Sequence, residues 1–139
     1  MTTRVLLVED EVLVALDIAQ QIADAGFEVV GPATSVAKAV ALIAERGCDV
    51  AVLDVNLGHE TAEPIAERLR ARGTPFVVLT GYSTEQLPSG FHGAPVLSKP
   101  AFPAVLLATL QQFSVARIPE LSSDLSNQTA WRTCVDPEE

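Results

Sequence analysis

Short apolar runs that stop on an acidic residue constrain this chain more than any other feature of it. Val50 to Leu53 runs straight into Asp54, and Val5 to Val8 runs into Glu9 and Asp10. Runs this short and this rich in valine suit strands buried on both faces of a parallel sheet. In such sheets, ligands meet the protein just beyond the carboxyl ends of the strands. Asp54, with Asn56 two positions on, therefore falls where that architecture does its chemistry. A strand-ending Asp is as readily a turn starter when taken alone, so the ends of the other strands decide.

Between those runs the hydrophobic period changes. Val12, Leu16, Ile18, Ala19, Ile22 and Ala23 recur at helical spacing, which predicts a helix over 12–25 that Gly26 stops. Phe27 to Val30 reads as a second strand, broken by Gly31-Pro32, and Ser35 as the N-cap of a helix over 36–45 closed by Gly47. A polar loop after Asp54 leads to a helix over 62–72 with Pro64 in its first turn, Glu67 to Arg72 as a solvated face, and Gly73 as its stop. Phe76 to Leu79 predicts a fourth strand ending at Thr80-Gly81-Tyr82, and Pro95 to Leu97 a fifth ending at Ser98-Lys99-Pro100. Pro88, Gly90, Gly93 and Pro95 leave room only for a shortened, mobile fourth helix, Ser83 to Leu87. Ala101 to Phe113 makes the closing helix. Alternating strands and helices with right-handed crossovers predict a doubly wound parallel α/β sheet of five strands, in the flavodoxin-like order 2-1-3-4-5.

Composition narrows the function class. With 139 residues and 48% hydrophobic content the chain has enough for one packed domain, expected over residues 4–113. A net charge of -9 leaves no basic face for a phosphate backbone, so direct nucleic-acid binding is not expected. The apolar run before Glu9 is too short for a signal peptide or a membrane span. Cys48 and Cys134 show neither metal spacing nor a disulfide framework, which fits a reducing cytoplasm. His59 and His92 lack any ligand cluster and read as loop residues. Residues 114–139, acidic and carrying Pro119, Pro137 and Trp131, read as a mobile tail too small to be an effector domain.

The strand order sets strands 1, 3, 4 and 5 side by side, so their carboxyl ends gather Glu9, Asp10, Asp54, Asn56, Thr80 and Lys99 into one crevice. Each has a structural alternative: the acids could cap a helix, Thr80 could be a strand-end hydroxyl, and Lys99 a solvated lysine. Together they describe a chemistry. Three carboxylates repel one another unless a hard cation neutralises them, and oxygen ligands suit Mg²⁺. A phosphoryl group transferred onto Asp54 needs its oxygens covered by the metal, by an ammonium such as Lys99 and by a hydroxyl such as Thr80. Gly81, without a side chain, leaves the donor's approach open.

These residues resemble the receiver domain of two-component response regulators. The likeness rests on the acidic pair Glu9-Asp10 after the first strand, Asp54 with Asn56 after the third, Thr80 after the fourth and Lys99-Pro100 after the fifth. It implies that Asp54 is the phosphoacceptor, that Asp10, Asp54 and the Asn56 carbonyl bind Mg²⁺ with Glu9 assisting through water, and that Thr80 and Lys99 contact the phosphoryl group. It also implies a cis Lys99–Pro100 bond. The stretch from Pro75 to Tyr82, with D-V-N-L and K-P-x-F, is similar to the stand-alone receivers of the FATGUY group, although Val78 and Leu79 replace that group's Phe and Ala. Val96 stands where a switch Tyr or Phe is usual, which shifts the expected moving parts to Thr80, Tyr82 and the loop after them.

Three functions are compatible with this reading. The leading one is a cytoplasmic phospho-switch, charged by a histidine kinase or histidine phosphotransfer protein, that alters contacts with a downstream protein or acts as a phosphate sink. It would catalyse only its own phosphorylation and dephosphorylation. A phosphatase-like enzyme using Asp54 as nucleophile would want a second acid where Asn56 stands. A scaffold that binds partners without phosphorylation would have no need of Glu9, Asp10, Thr80 and Lys99 together.

Overall fold

The computed structural model describes residues 2–81, 87–99 and 103–116, with side chains to Phe113 in the last helix. Each buried apolar run becomes a strand: β1 (Arg4–Val8), β2 (Glu28–Ala33), β3 (Val50–Asp54), β6 (Phe76–Thr80) and β7 (Val96–Ser98). They pair in parallel in the order β2-β1-β3-β6-β7. Setting aside a small hairpin, β4 (Asn56–Leu57) with β5 (Glu60–Thr61), this is the order 2-1-3-4-5. The helices are α1 (Val12–Asp24), α2 (Val36–Glu45), α3 (Glu63–Ala71) and α4 (Pro103–Ala116). None is long and apolar enough to cross a membrane.

Alternation along β3 shows why the strands carry no polar residue before their ends. Val50 and Val52 pack on the α1 and α4 side with Ile22, Leu106 and Leu110, whereas Ala51 and Leu53 pack on the α2 and α3 side with Ala39, Ile43, Ile65 and Leu69. Every residue of β3 and β6 is buried. Asp54, the last residue of β3, carries the first polar side chain that the strand presents.

Several boundaries differ from the sequence reading. Gly31-Pro32 does not break β2; the strand bends through it to Ala33, and β1 shifts register between Leu6 and Val8 to follow. β2 is the sheet edge, where a proline's missing N–H costs no ladder bond. Gly31 has φ +99, and a Cβ there would lie 2.7 Å from the Ala33 nitrogen and 3.2 Å from the Leu7 carbonyl oxygen, so only glycine passes. The polar loop after Asp54 contains the β4–β5 hairpin, closed by the Ala62 N–H donating to the Val55 carbonyl at 2.9 Å. Glu67 to Arg72 is not wholly solvated, because Leu69 is fully buried. The closing helix runs three residues beyond Phe113. The first helix buries Ala15 and Ile22 and leaves Val12 and Leu16 outside.

The expected fourth helix, save Leu87, falls on residues outside the described set, as do Tyr82, Pro100 and the tail beyond Ala116. The described part of that crossover holds a single 3-10 turn, Ser89–Phe91. Leu87 precedes it, Phe91 ends it, and both bury in the α3-side core. Phe91→Ala removes a large, fully buried ring and is expected to lower stability by about 3–5 kcal/mol. Denaturant unfolding checks this, and a loss under about 1 kcal/mol would mean that the turn does not anchor the crossover.

Candidate functional site

The carboxyl ends of β1, β3, β6 and β7 meet in one place. Glu9 follows β1 and is fully buried, its N–H donating to the Ala33 carbonyl at 3.0 Å. Asp10 is half-buried beside it. Asp54 ends β3 and Thr80 ends β6, exposed by 4% and 1%. Lys99, one residue past β7, is held to β6 by its own N–H donating to the Thr80 carbonyl at 2.9 Å. Asn56 opens the hairpin with its side chain exposed. The structure thus brings Glu9, Asp10, Asp54 and Lys99 together, with Thr80 buried at the end of β6 and Asn56 exposed at the start of the hairpin.

One cation faces two buried acids. The Lys99 Nζ lies 2.9 Å from Asp54 Oδ2 and 3.2 Å from Glu9 Oε1. The contact with Asp54 is a hydrogen bond. That with Glu9 is an ion pair whose angle leaves Oε1 without a hydrogen bond. Glu9 Oε2 accepts from the Glu11 N–H at 3.2 Å. Burial, and then sharing a proton with Asp54, push the Glu9 carboxyl up to about 7, against the pull of the Glu11 N–H and the charge of Lys99. Burial works against the charge on Lys99, but its hydrogen bond to Asp54 and the charges of Asp54 and Glu9 outweigh that and raise it above the usual lysine value.

Carboxylate oxygens of Glu9, Asp10 and Asp54 lie within 4.8 Å of one another. An all-oxygen set with one buried oxygen lacking a hydrogen bond fits a hard divalent cation, and these residues fit Mg²⁺. The hairpin comes close on the same side: Gly58, at φ +71, is placed so that an added Cβ would sit 4.0 Å from Asp10 Oδ2. At Gly81 an added Cβ would meet no atom of the described residues within 4 Å.

Beside the site α1 presents Val12, Leu13, Val14 and Leu16, exposed by 58, 82, 36 and 55%. Leu13 and Val14 line a groove of about 570 Å³ together with Ile18, Leu79, Glu11, Asp17 and Lys99. Sequence reasoning used Val12 and Leu16 only as marks of a helical period and did not foresee this exposed face. It also missed the Glu11 N–H and the Ala33 carbonyl, which hold Glu9 through backbone groups that no side-chain pattern reports. Val96 is half-buried opposite Val78. Burial pushes the half-buried Cys48 thiol up, which leaves it a poor nucleophile.

The family profile of the response regulator receiver domain matches residues 5–111. Among curated proteins, the transcriptional regulatory protein PdtaR of Mycobacterium tuberculosis is 36% identical over 88 residues, which span 60% of this chain and 42% of PdtaR. The chain therefore covers less than half the length of that relative. Among solved structures, chemotaxis protein CheY4 of Vibrio cholerae superposes with a TM-score of 0.73 at 28% identity, over 81% of this chain and 99% of CheY4. A response regulator receiver protein from Sinorhizobium medicae superposes with a TM-score of 0.74 at 26% identity, over 84% of this chain and 97% of that one.

Proposed function

The chain belongs to the response regulator receiver domain family, and from that premise we propose that it is a phosphorylation-driven switch whose acceptor is Asp54. The donor is a histidine kinase or histidine phosphotransfer protein. The observation that carries the reading is the buried Asp54 carboxylate hydrogen-bonded at 2.9 Å to Lys99, within reach of two further acids. A carboxylate oxygen of Asp54 attacks the phosphorus of a phosphohistidine, the new O–P bond forms as the P–N bond breaks, and the imidazole leaves. Lys99 then follows the developing charge from the carboxylate to a phosphoryl oxygen, with the Thr80 hydroxyl as a second donor. Glu9, Asp10, Asp54 and the Asn56 carbonyl would hold Mg²⁺, which when bound neutralises the crowded negative charge.

The exposed apolar face of α1 beside Lys99 supports docking of the donor there, and the net charge of -9 supports a protein rather than a nucleic-acid partner. The output is an altered contact with a downstream protein, or drainage of phosphate from the donor. We read the protein as cytoplasmic, in keeping with its free Cys48, and as turning over no external substrate.

Labelling with a small phosphodonor, followed on a gel that retards phosphoproteins, tests the reading. One slow band is expected with Mg²⁺, lost on chelation and absent in Asp54→Asn. Equal labelling of Asp54→Asn, or indifference to chelation, would sink the assignment. Sustained release of phosphate without a labelled chain would point to the phosphatase reading instead.

A further inference from the structure

The last strand is the least secured part of the site. β7 has three residues, pairs only with β6 among the described residues, and is half-buried at Val96 and Leu97. Its register is Val78 to Val96, Leu79 to Leu97 and Thr80 to Ser98. A slip of one residue would carry Lys99 along the strand by about 3.3 Å. That would break its 2.9 Å contact with Asp54.

In the described part of the crossover leading into β7, from Leu87 on, the local hydrogen bonds are those of one 3-10 turn, Ser89–Phe91, with the Phe91 N–H donating to the Pro88 carbonyl and the His92 N–H to the Ser89 carbonyl, both at 3.1 Å. A side chain adds longer-range ones. Arg70, on α3, donates Nε–H to the Gly90 carbonyl at 3.2 Å and Nη2–H to the His92 carbonyl. Its guanidinium lies 5.0 Å from the centre of the Phe76 ring, at the start of β6. Phe91, between the two clasped carbonyls, is buried against the same core as Leu69. Three residues after His92, the backbone joins the sheet through the Val78 N–H donating to the Pro95 carbonyl at 2.8 Å. The planar fork of Arg70 thus ties both β6 and the lead-in of β7 to α3.

We propose that Arg70 is a positioning residue for Lys99: by clasping the Gly90 and His92 carbonyls it locks the register of β7 and so sets the ammonium against Asp54. The inference rests on the phosphoryl-transfer reading above. Arg70 meets Phe76, at the opposite end of β6 from Thr80, and its effect passes along the backbone.

Arg70→Ala is expected to slow labelling of Asp54 by a small phosphodonor about tenfold, a part of the roughly 10²-fold lost when the ammonium itself is removed. In a Lys99→Ala background the same substitution should change the rate less than about twofold, because the group it positions is gone. Amide exchange at Lys99 and Val78 should quicken while the amides of Val5 to Val8 keep their protection. Arg70→Lys, which keeps the charge but cannot fork onto two carbonyls, should give the same pattern at smaller amplitude and serves if Arg70→Ala does not fold. The proposal is overturned if Arg70→Ala labels as fast as the parent, if its effect persists undiminished without Lys99, if β1 loses protection to the same extent, or if Arg70→Lys matches the parent. Failure of the parent itself to label would defeat the functional reading. The exchange measurements, which need no donor, would still judge the clasp.

Discussion

Lys99→Ala is expected to slow phosphoryl transfer to Asp54 by about 10²-fold, the cost of removing one preorganised donor from a site where charge develops. The parent geometry explains why the effect is large. Lys99 is the sole ammonium facing Glu9 and Asp54 among the described residues, at 3.2 and 2.9 Å, and both acids are shut away from water. Without it, a phosphoryl group bringing further negative charge meets Glu9 and Asp54 with no ammonium to offset them. Mg²⁺ binding should survive, and tighten, since the ammonium no longer competes for the Asp54 oxygen. Single-turnover labelling at saturating donor, with a separate Mg²⁺ titration, distinguishes the two effects. Labelling within about twofold of the parent would mean that Lys99 serves only the metal-free state.

What was legible in the sequence followed from burial. A parallel sheet covered on both faces tolerates polar side chains only where its strands end, so Glu9, Asp54 and Thr80 could be placed by the last apolar residue before each. Lys99 was legible for the same reason, although β7 runs Val96–Ser98 rather than from Pro95. Asn56 was legible as a rim residue, but not the hairpin that presents it, because two-residue strands carry no period to read. The crossover after Thr80 was hardest. Pro88, Gly90, Gly93 and Pro95 argued against helical continuation after Leu87, where the described residues hold only the 3-10 turn Ser89–Phe91, and that argument obscured Leu87 and Phe91, an i, i+4 apolar pair that packs into the core. Arg70 looked like one more surface charge on α3, since a clasp onto carbonyls from a distant segment leaves no local signature. On α1, periodicity correctly predicted the helix but could not say which apolar residues face inward. Four of them do not, and that exposed face is where the proposed donor would dock.

Glu9 makes a pH test of the site possible, and its sign can be worked out. The folded carboxyl sits at about 7 against an ordinary value of 4.5, chiefly because burial disfavours its charge. Below 4.5 both folded and unfolded chains hold the proton, and the group contributes nothing to their difference. Between those values the folded chain keeps a proton that the unfolded chain has lost, so stability falls with each step up in pH, and above 7 the full penalty of a buried charge remains. Lys99, raised rather than lowered, stays charged throughout that window. Metal-free protein should therefore melt at a lower temperature as pH rises toward neutrality, relative to Glu9→Gln, whose amide cannot ionise. Taking the difference between the two proteins removes the opposing slopes of ordinary carboxylates. Mg²⁺ should reverse the trend, because ionised Glu9 is what the metal wants: affinity should climb through about pH 7, with proton release on binding. In Glu9→Gln the climb should vanish and the affinity fall. Thermal melts and calorimetric Mg²⁺ titrations across pH 5.5 to 8, a range chosen to bracket that pKa, decide it. Parallel melting profiles for the two proteins, or a Mg²⁺ affinity independent of pH in the parent, would show that Glu9 does not hold the proton assigned to it.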